Sequence, residues 1–135
     1  MRLRIAMLLV VMFALAGISA ATASAASSVA YGTCYITANA PAVSGSNVVG
    51  QARISCGSTT TLTYDVCTNR TRTDRNCHKY TTTVNGGNPP VILAGAPLVG
   101  QNNVEYFTEV LFYGYDLLSD VYRWANGQLY YVRHP

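Results

Sequence analysis

From Ala30 onward the chain alternates apolar and polar positions with a period of two, the repeat of a strand with one buried face. The clearest case is Val48–Cys56, where Val48, Gly50, Ala52, Ile54 and Cys56 form an inner row while Gln51, Arg53 and Ser55 point outward. The same pattern predicts strands over Ala30–Ala38, Thr60–Cys67, His78–Val84, Val91–Leu93, Val104–Tyr115, Val121–Ala125 and Gln128–Val132. These segments are rich in Val, Ile, Thr and Tyr, which fit a pleated, half-buried surface. Glu105–Leu118 has the length of a helix, but its Tyr, Phe, Thr and Val content favours one long strand with a bulge at Gly114. Breakers fall at Asn39-Ala40-Pro41, Ser44-Gly45-Ser46-Asn47, Cys56-Gly57-Ser58 and Asn85–Pro90. Asn126-Gly127 is the sharpest turn signal, because Asn-Gly accepts the positive φ angles of a type I′ hairpin. That turn sets Trp124 opposite Leu129 and Tyr122 opposite Tyr131. About eight short strands, no helix and regular turns predict an all-β fold. The expected form is a single antiparallel β-sandwich, immunoglobulin-like in general shape, with a closed barrel as the alternative.

The first 25 residues follow a different pattern. Arg2 and Arg4 precede an apolar run, Ile5–Ala16, and small residues follow to Ala23-Ser24-Ala25. A basic start, a short apolar stretch and an A-x-A site make a secretory signal peptide over residues 1–25. The apolar run is shorter than the roughly 20 residues that span a bilayer. The expected product is a single soluble, extracellular domain over residues 26–135.

Secretion changes the meaning of charge and of cysteine. Without Arg2 and Arg4, seven basic side chains face six acidic ones, a net of +1. So neutral a domain has no field for nucleic acid or an anionic membrane, and neither is expected as a partner. Cys34, Cys56, Cys67 and Cys77 are expected to form disulfides in an oxidising compartment. Of the three connectivities, strand parity selects one. Cys34 shares a row with Ile36 and Ala38, and Cys56 belongs to the inner row of its strand, so both face the core. Cys67 and Cys77 share rows with Thr63 and Asp65, and with Lys79, Thr81 and Thr83, so both point outward. The expected bonds are Cys34–Cys56 across the core and Cys67–Cys77 clamping two neighbouring strands.

Catalytic groups are sparse. His78 and His134 are the two histidines, and there is no nucleophile elbow, no zinc-protease helix motif and no phosphate loop. With the cysteines paired, neither a thiol nucleophile nor a thiolate metal site remains. No cofactor, metal or catalytic residue is therefore expected. Glu105 and Glu109, on one strand, stand about 13 Å apart by backbone rise, outside the roughly 5–9.5 Å of paired glycosidase carboxyls. Asp65 and Asp116 are the other carboxylates that a second strand could bring in, and Asp116 with Asp120 lack the spacing of a calcium loop.

The segment from Cys67 to Cys77 carries more information. Arg70, Arg72 and Arg75, with Lys79 just beyond, hold four of the seven basic charges, while Glu105, Glu109, Asp116 and Asp120 cluster later in the chain. A cross-linked loop of this kind is a candidate partner-binding element, since rigidity lowers the ordering cost of binding. Arg70 or Arg72 is the side chain that would enter the acidic pocket of a trypsin-like protease. Asn69-Arg70-Thr71 is also a glycosylation sequon. Ten tyrosines and one tryptophan exceed what a small core needs, so Tyr113, Tyr115, Tyr122, Trp124, Tyr130 and Tyr131 are candidate surface aromatics for a partner or a glycan.

The leader followed by Tyr31-Gly32-Thr33-Cys34, the Val48, Gly50, Cys56 strand and Tyr106-Phe107-Thr108-Glu109-Val110 resembles the small secreted disulfide-bonded β-sandwich proteins of actinobacteria. The resemblance implies that fold and a filamentous Gram-positive host, and it carries over no catalytic residue. Adaptor subunits of umbrella toxin particles have a similar size and location. Together these readings favour a non-enzymatic interaction module whose partner is another secreted protein. A protease inhibitor and a glycan-binding or small carbohydrate-active protein are the alternatives.

Overall fold

The computed structural model describes residues 27–71 and 73–134; the expected leader and Arg72 lie outside the described residues. Eleven strands run in chain order: β1 (Ser28–Tyr31), β2 (Cys34–Ser44), β3 (Asn47–Cys56), β4 (Thr60–Asn69), β5 (Arg75–Val84), β6 (Val91–Ala94), β7 (Leu98–Val99), β8 (Glu105–Phe112), β9 (Tyr115–Leu118), β10 (Val121–Ala125) and β11 (Gln128–Arg133). They form two antiparallel sheets packed together. One has the order β1-β2-β3-β6 with β7 also on β3, and the other β11-β10-β8-β4-β5 with β9 also on β8. The fold is thus the expected all-β sandwich, with no helix among the described residues.

The short β7 has no counterpart in the sequence expectation, and β4 and β5 pair further than expected, to Asn69 and from Arg75. Three other departures have a local backbone reason. The segment expected as one strand over Ala30–Ala38 is split at Gly32, whose φ of 57° turns β1 back onto β2. Asn39-Ala40-Pro41 does not end β2; the register shifts between Asn39 and Ala42, so the proline sits in a bulge. Val104–Tyr115 is not continuous either. Tyr113 and Gly114 both have positive φ, 42° and 83°, so they make a two-residue hairpin turn instead of a bulge. The Asn126-Gly127 turn forms as expected, with φ of 51° and 82° and the pairs Trp124↔Leu129 and Tyr122↔Tyr131 in register.

Parity fixes which face each strand buries. Ile36, Ala38, Ala52 and Ile54 from the first sheet meet Leu62, Tyr64, Val66, Val110 and Phe112 from the second in the main core. A second cluster forms around Val48, Tyr106 and Trp124. Between the two lies a polar band of fully buried Thr68, Thr108 and Ser119. Gly50 lies opposite the β2 bulge, where its amide has no ladder partner, and it donates instead to Thr68 Oγ1 of the facing sheet at 2.7 Å. Gln51 N–H donates to Thr108 Oγ1 at 3.1 Å, and Thr108 N–H to Ser119 Oγ at 2.8 Å. Only glycine fits at position 50, since a Cβ there would lie 2.4 Å from the Cys67 carbonyl oxygen.

Both disulfides join the expected cysteines. Cys34–Cys56 faces the core, but it links directly opposed residues of neighbouring β2 and β3 within one sheet, so it does not bridge the two sheets. Cys67–Cys77 clamps β4 to β5. Cys77 is exposed as parity predicts, whereas Cys67 is fully buried although it shares its row.

Candidate functional site

The burial of Cys67 is part of a polar cluster on the outer face of the six-stranded sheet. β4 and β5 pair as far as Asn69↔Arg75, and residues 70–71 and 73–74 belong to the loop beyond that pair. On that face Glu109 of β8 lies opposite Cys67 and is fully buried. Arg75 Nη1 donates to Glu109 Oε1 at 2.5 Å, and Asn69 Nδ2 to the same oxygen at 3.0 Å. Inside the loop Arg70 Nε meets Asp74 Oδ2 at 2.8 Å, while Asp74 N–H donates to Thr71 Oγ1 at 2.8 Å. Lys79 stands opposite Asp65 in the ladder. The basic loop and the later acidic residues, distant in sequence, are therefore neighbours in space, and Arg70 and Arg75 are engaged within the protein. The Asn69 side chain is fully buried, so the sequon is inaccessible in the folded chain.

Farther along β8 the pattern repeats. Glu105 accepts from Arg133 Nη2 at 2.7 Å and pairs with Arg123 Nη2 at 3.4 Å. Glu105 and Glu109 thus share the outer face, each held by arginine. Asp120 is buried, with its Oδ1 in contact with His134 Nδ1. Next to it, burial first, and then the Asp120 charge and Tyr131, push the Tyr122 phenol above its ordinary value. His78 packs against Tyr80 with ring centroids 4.4 Å apart.

Of the expected surface aromatics, Tyr113, Tyr115, Tyr130 and Tyr131 are exposed, and Tyr122 is half-buried against Tyr131. Trp124 is a correction: it is buried in the second core cluster, its ring lying where a Cβ on Gly100 would be, so it belongs to no surface. Tyr31 and Tyr35, which the sequence reading did not single out, are exposed. Tyr31 stacks on Tyr113 at 5.3 Å and meets Phe112 edge-on at 5.1 Å, tying the β1–β2 turn to the β8–β9 turn at one end of the sandwich. Beside that end, where the β8–β9 turn leaves β4, a groove of about 360 Å³ opens on the outer face, with Asp65, Lys79, Leu111, Tyr115 and Asp116 in its lining.

The outer face of the five-stranded sheet carries the third surface. Tyr35, Thr37, Arg53 and Ser55 line a shallow depression of about 250 Å³, and Ile92 lies beside Arg53 in register. Tyr35 and Ile92 are 55% and 51% exposed. Arg53 makes no ion pair or side-chain hydrogen bond with another described residue. The sequence already pointed Arg53 outward; what it lacked was the pairing that sets Thr37 and Ile92 beside it and brings Tyr35 into the same depression.

The described residues thus define a two-sheet, disulfide-bonded sandwich with three polar-aromatic surfaces. They hold no group of three or more His, Cys, Asp or Glu side chains placed to bind a metal, and no helix long and apolar enough to cross a membrane. Two disulfides are compatible with an extracellular protein. No protein-family model, curated protein or solved structure matches the chain.

Proposed function

We propose that the chain is a secreted, non-enzymatic protein–protein interaction module, acting as an adaptor subunit of an extracellular complex. The observation that carries this reading is Arg53, a cation without a partner among the described residues, set between Thr37 and exposed Ile92 on the outer sheet face, with exposed Tyr35 in the same depression. Arginine and tyrosine are the residue types that most often anchor interfaces. Among the described strands the adjoining β1 is an edge strand paired only with β2, so a partner segment can extend the same sheet. Both sheets are stapled by disulfides, which lowers the ordering cost of docking. The leader-like start supports secretion, and suitable size and expected location support a toxin-particle adaptor as the finer form of the role.

The test is affinity capture of the tagged mature protein from its native culture supernatant. Wild type should recover a secreted partner in fixed ratio, and Arg53→Glu should lose it while keeping the wild-type unfolding transition. Recovery undiminished in Arg53→Glu would refute this face. The inhibitor reading loses one of its two candidate side chains, because Arg70 is bound to Asp74 inside its loop; an absence of trypsin inhibition at micromolar protein would dispose of it.

A further inference from the structure

The groove beside the β8–β9 turn belongs to the other sheet and plays no part in the Arg53 face. Its floor is one row of residues across four strands: Lys79 of β5, Asp65 of β4, Leu111 of β8 and Asp116 of β9 are successive register partners. Two interstrand steps separate Asp65 from Asp116, so their α-carbons stand about 10 Å apart with the apolar Leu111 between them. Tyr115 and Tyr113 line the end of the row, both about half exposed. Tyr113 is held against Tyr31 by ring stacking.

The chemistry of that row narrows the ligand. Two carboxylates would repel an anion. A simple cation would meet Lys79 beside Asp65, which already offers that carboxylate a positive charge. A neutral ligand dense in hydroxyls suits the mixture, since each hydroxyl both donates and accepts. Hydroxyls can donate to Asp65 and Asp116 and accept from Lys79, and hydrogen bonds to charged groups are the stronger ones. The C–H face of a sugar ring then rests on Leu111 and the tyrosine rings. The volume is at the small end of ligand sites, which run from about 300 to 1,000 Å³. We infer that this groove is a binding site for a neutral pyranose oligosaccharide, with Asp65, Asp116 and Lys79 as its polar contacts and Tyr115 as its aromatic wall.

The experiment is an amide-shift titration of the mature protein with soluble oligosaccharides of glucose, galactose and N-acetylglucosamine, each tested separately up to millimolar concentration. At least one should shift amides within Leu111–Asp116 and at Asp65, with the Arg53 face unmoved. Asp65→Asn and Tyr115→Ala should each weaken that binding about tenfold, the cost of a lost charged hydrogen bond or ring contact. Arg53→Glu should bind the sugar as wild type does, which separates this site from the proposed docking face. Unfolding curves recorded on each variant confirm that the comparison is between folded proteins. No shift in the groove with any of the three sugars would overturn the inference. So would shifts located elsewhere, or binding unaltered in both groove variants.

Discussion

The two outer faces of the sandwich treat charge in opposite ways. On the six-stranded sheet arginines meet carboxylates: Arg75 with buried Glu109, and Arg123 and Arg133 with Glu105. On the five-stranded sheet Arg53 stands among hydroxyls, an exposed tyrosine and an exposed isoleucine, with no carboxylate of the described residues paired to it. An arginine whose charge is matched inside the protein contributes to stability. One whose charge is matched by nothing inside is free to be matched from outside. The same residue type therefore has different consequences on the two faces, and neither composition nor local sequence separates them.

The disulfides give the largest expected effects, one in each sheet. Replacing either pair with alanines should cost about 3 kcal/mol of unfolding free energy, from the loop each bond closes, as read from denaturant curves. Graded reduction followed by peptide mapping should open Cys67–Cys77 first, because Cys77 is exposed while Cys34 and Cys56 are both buried. Next comes the direct contrast of arginines. Arg75→Ala leaves Glu109 buried without that guanidinium and should cost about 2 kcal/mol, a value reduced from that of a fully buried pair because Arg75 is partly exposed. Arg53→Ala should change stability by less than about 0.5 kcal/mol, as surface substitutions do. Equal losses in the two variants would remove the distinction between the faces.

A smaller effect comes with alkali. Burial pushes the Tyr64 phenol above its ordinary value, against a hydrogen bond to Thr82 that lowers it, and burial followed by the Asp120 charge and Tyr131 raises Tyr122. The folded protein therefore holds these protons more tightly than the unfolded chain does. Their contribution is complete below the ordinary tyrosine pKa of about 10 and is lost as pH rises through the folded values. Denaturation midpoints should fall above about pH 10, and Tyr64→Phe should make that fall shallower.

Much of the fold was legible because parity is a strict two-state code. The inner rows of β3, β4 and β5 and both cysteine pairings follow from alternation alone, as does the Trp124↔Leu129 register set by Asn126-Gly127. What alternation does not carry is where a strand ends when the sequence remains β-prone. Tyr113 offers no turn signal of its own, yet it adopts positive φ, so one long strand became the β8–β9 hairpin. Conversely Pro41 looks like a terminator but is absorbed by a bulge. The candidate surfaces depend on pairing between strands far apart in sequence. Lys79, Asp65, Leu111 and Asp116 form a row only once β4 has chosen β8 as its neighbour. Trp124 misled for a related reason, since its place in a core requires Gly100 to bring the chain over its ring.

The buried band of Thr68, Thr108 and Ser119 has one more implication. Apolar burial is non-directional, so by itself it specifies the relative translation of two sheet faces less sharply than hydrogen bonds do. Here the β3 amides of Gly50 and Gln51 are bonded to threonines of the opposite sheet, and any slide of one face past the other would strand buried donors. The band therefore works as a keyway that locks the two sheets in translation. Whatever is held on one outside surface is kept at a set distance and angle from whatever is held on the other, which gives so small a domain the mechanics of a rigid spacer.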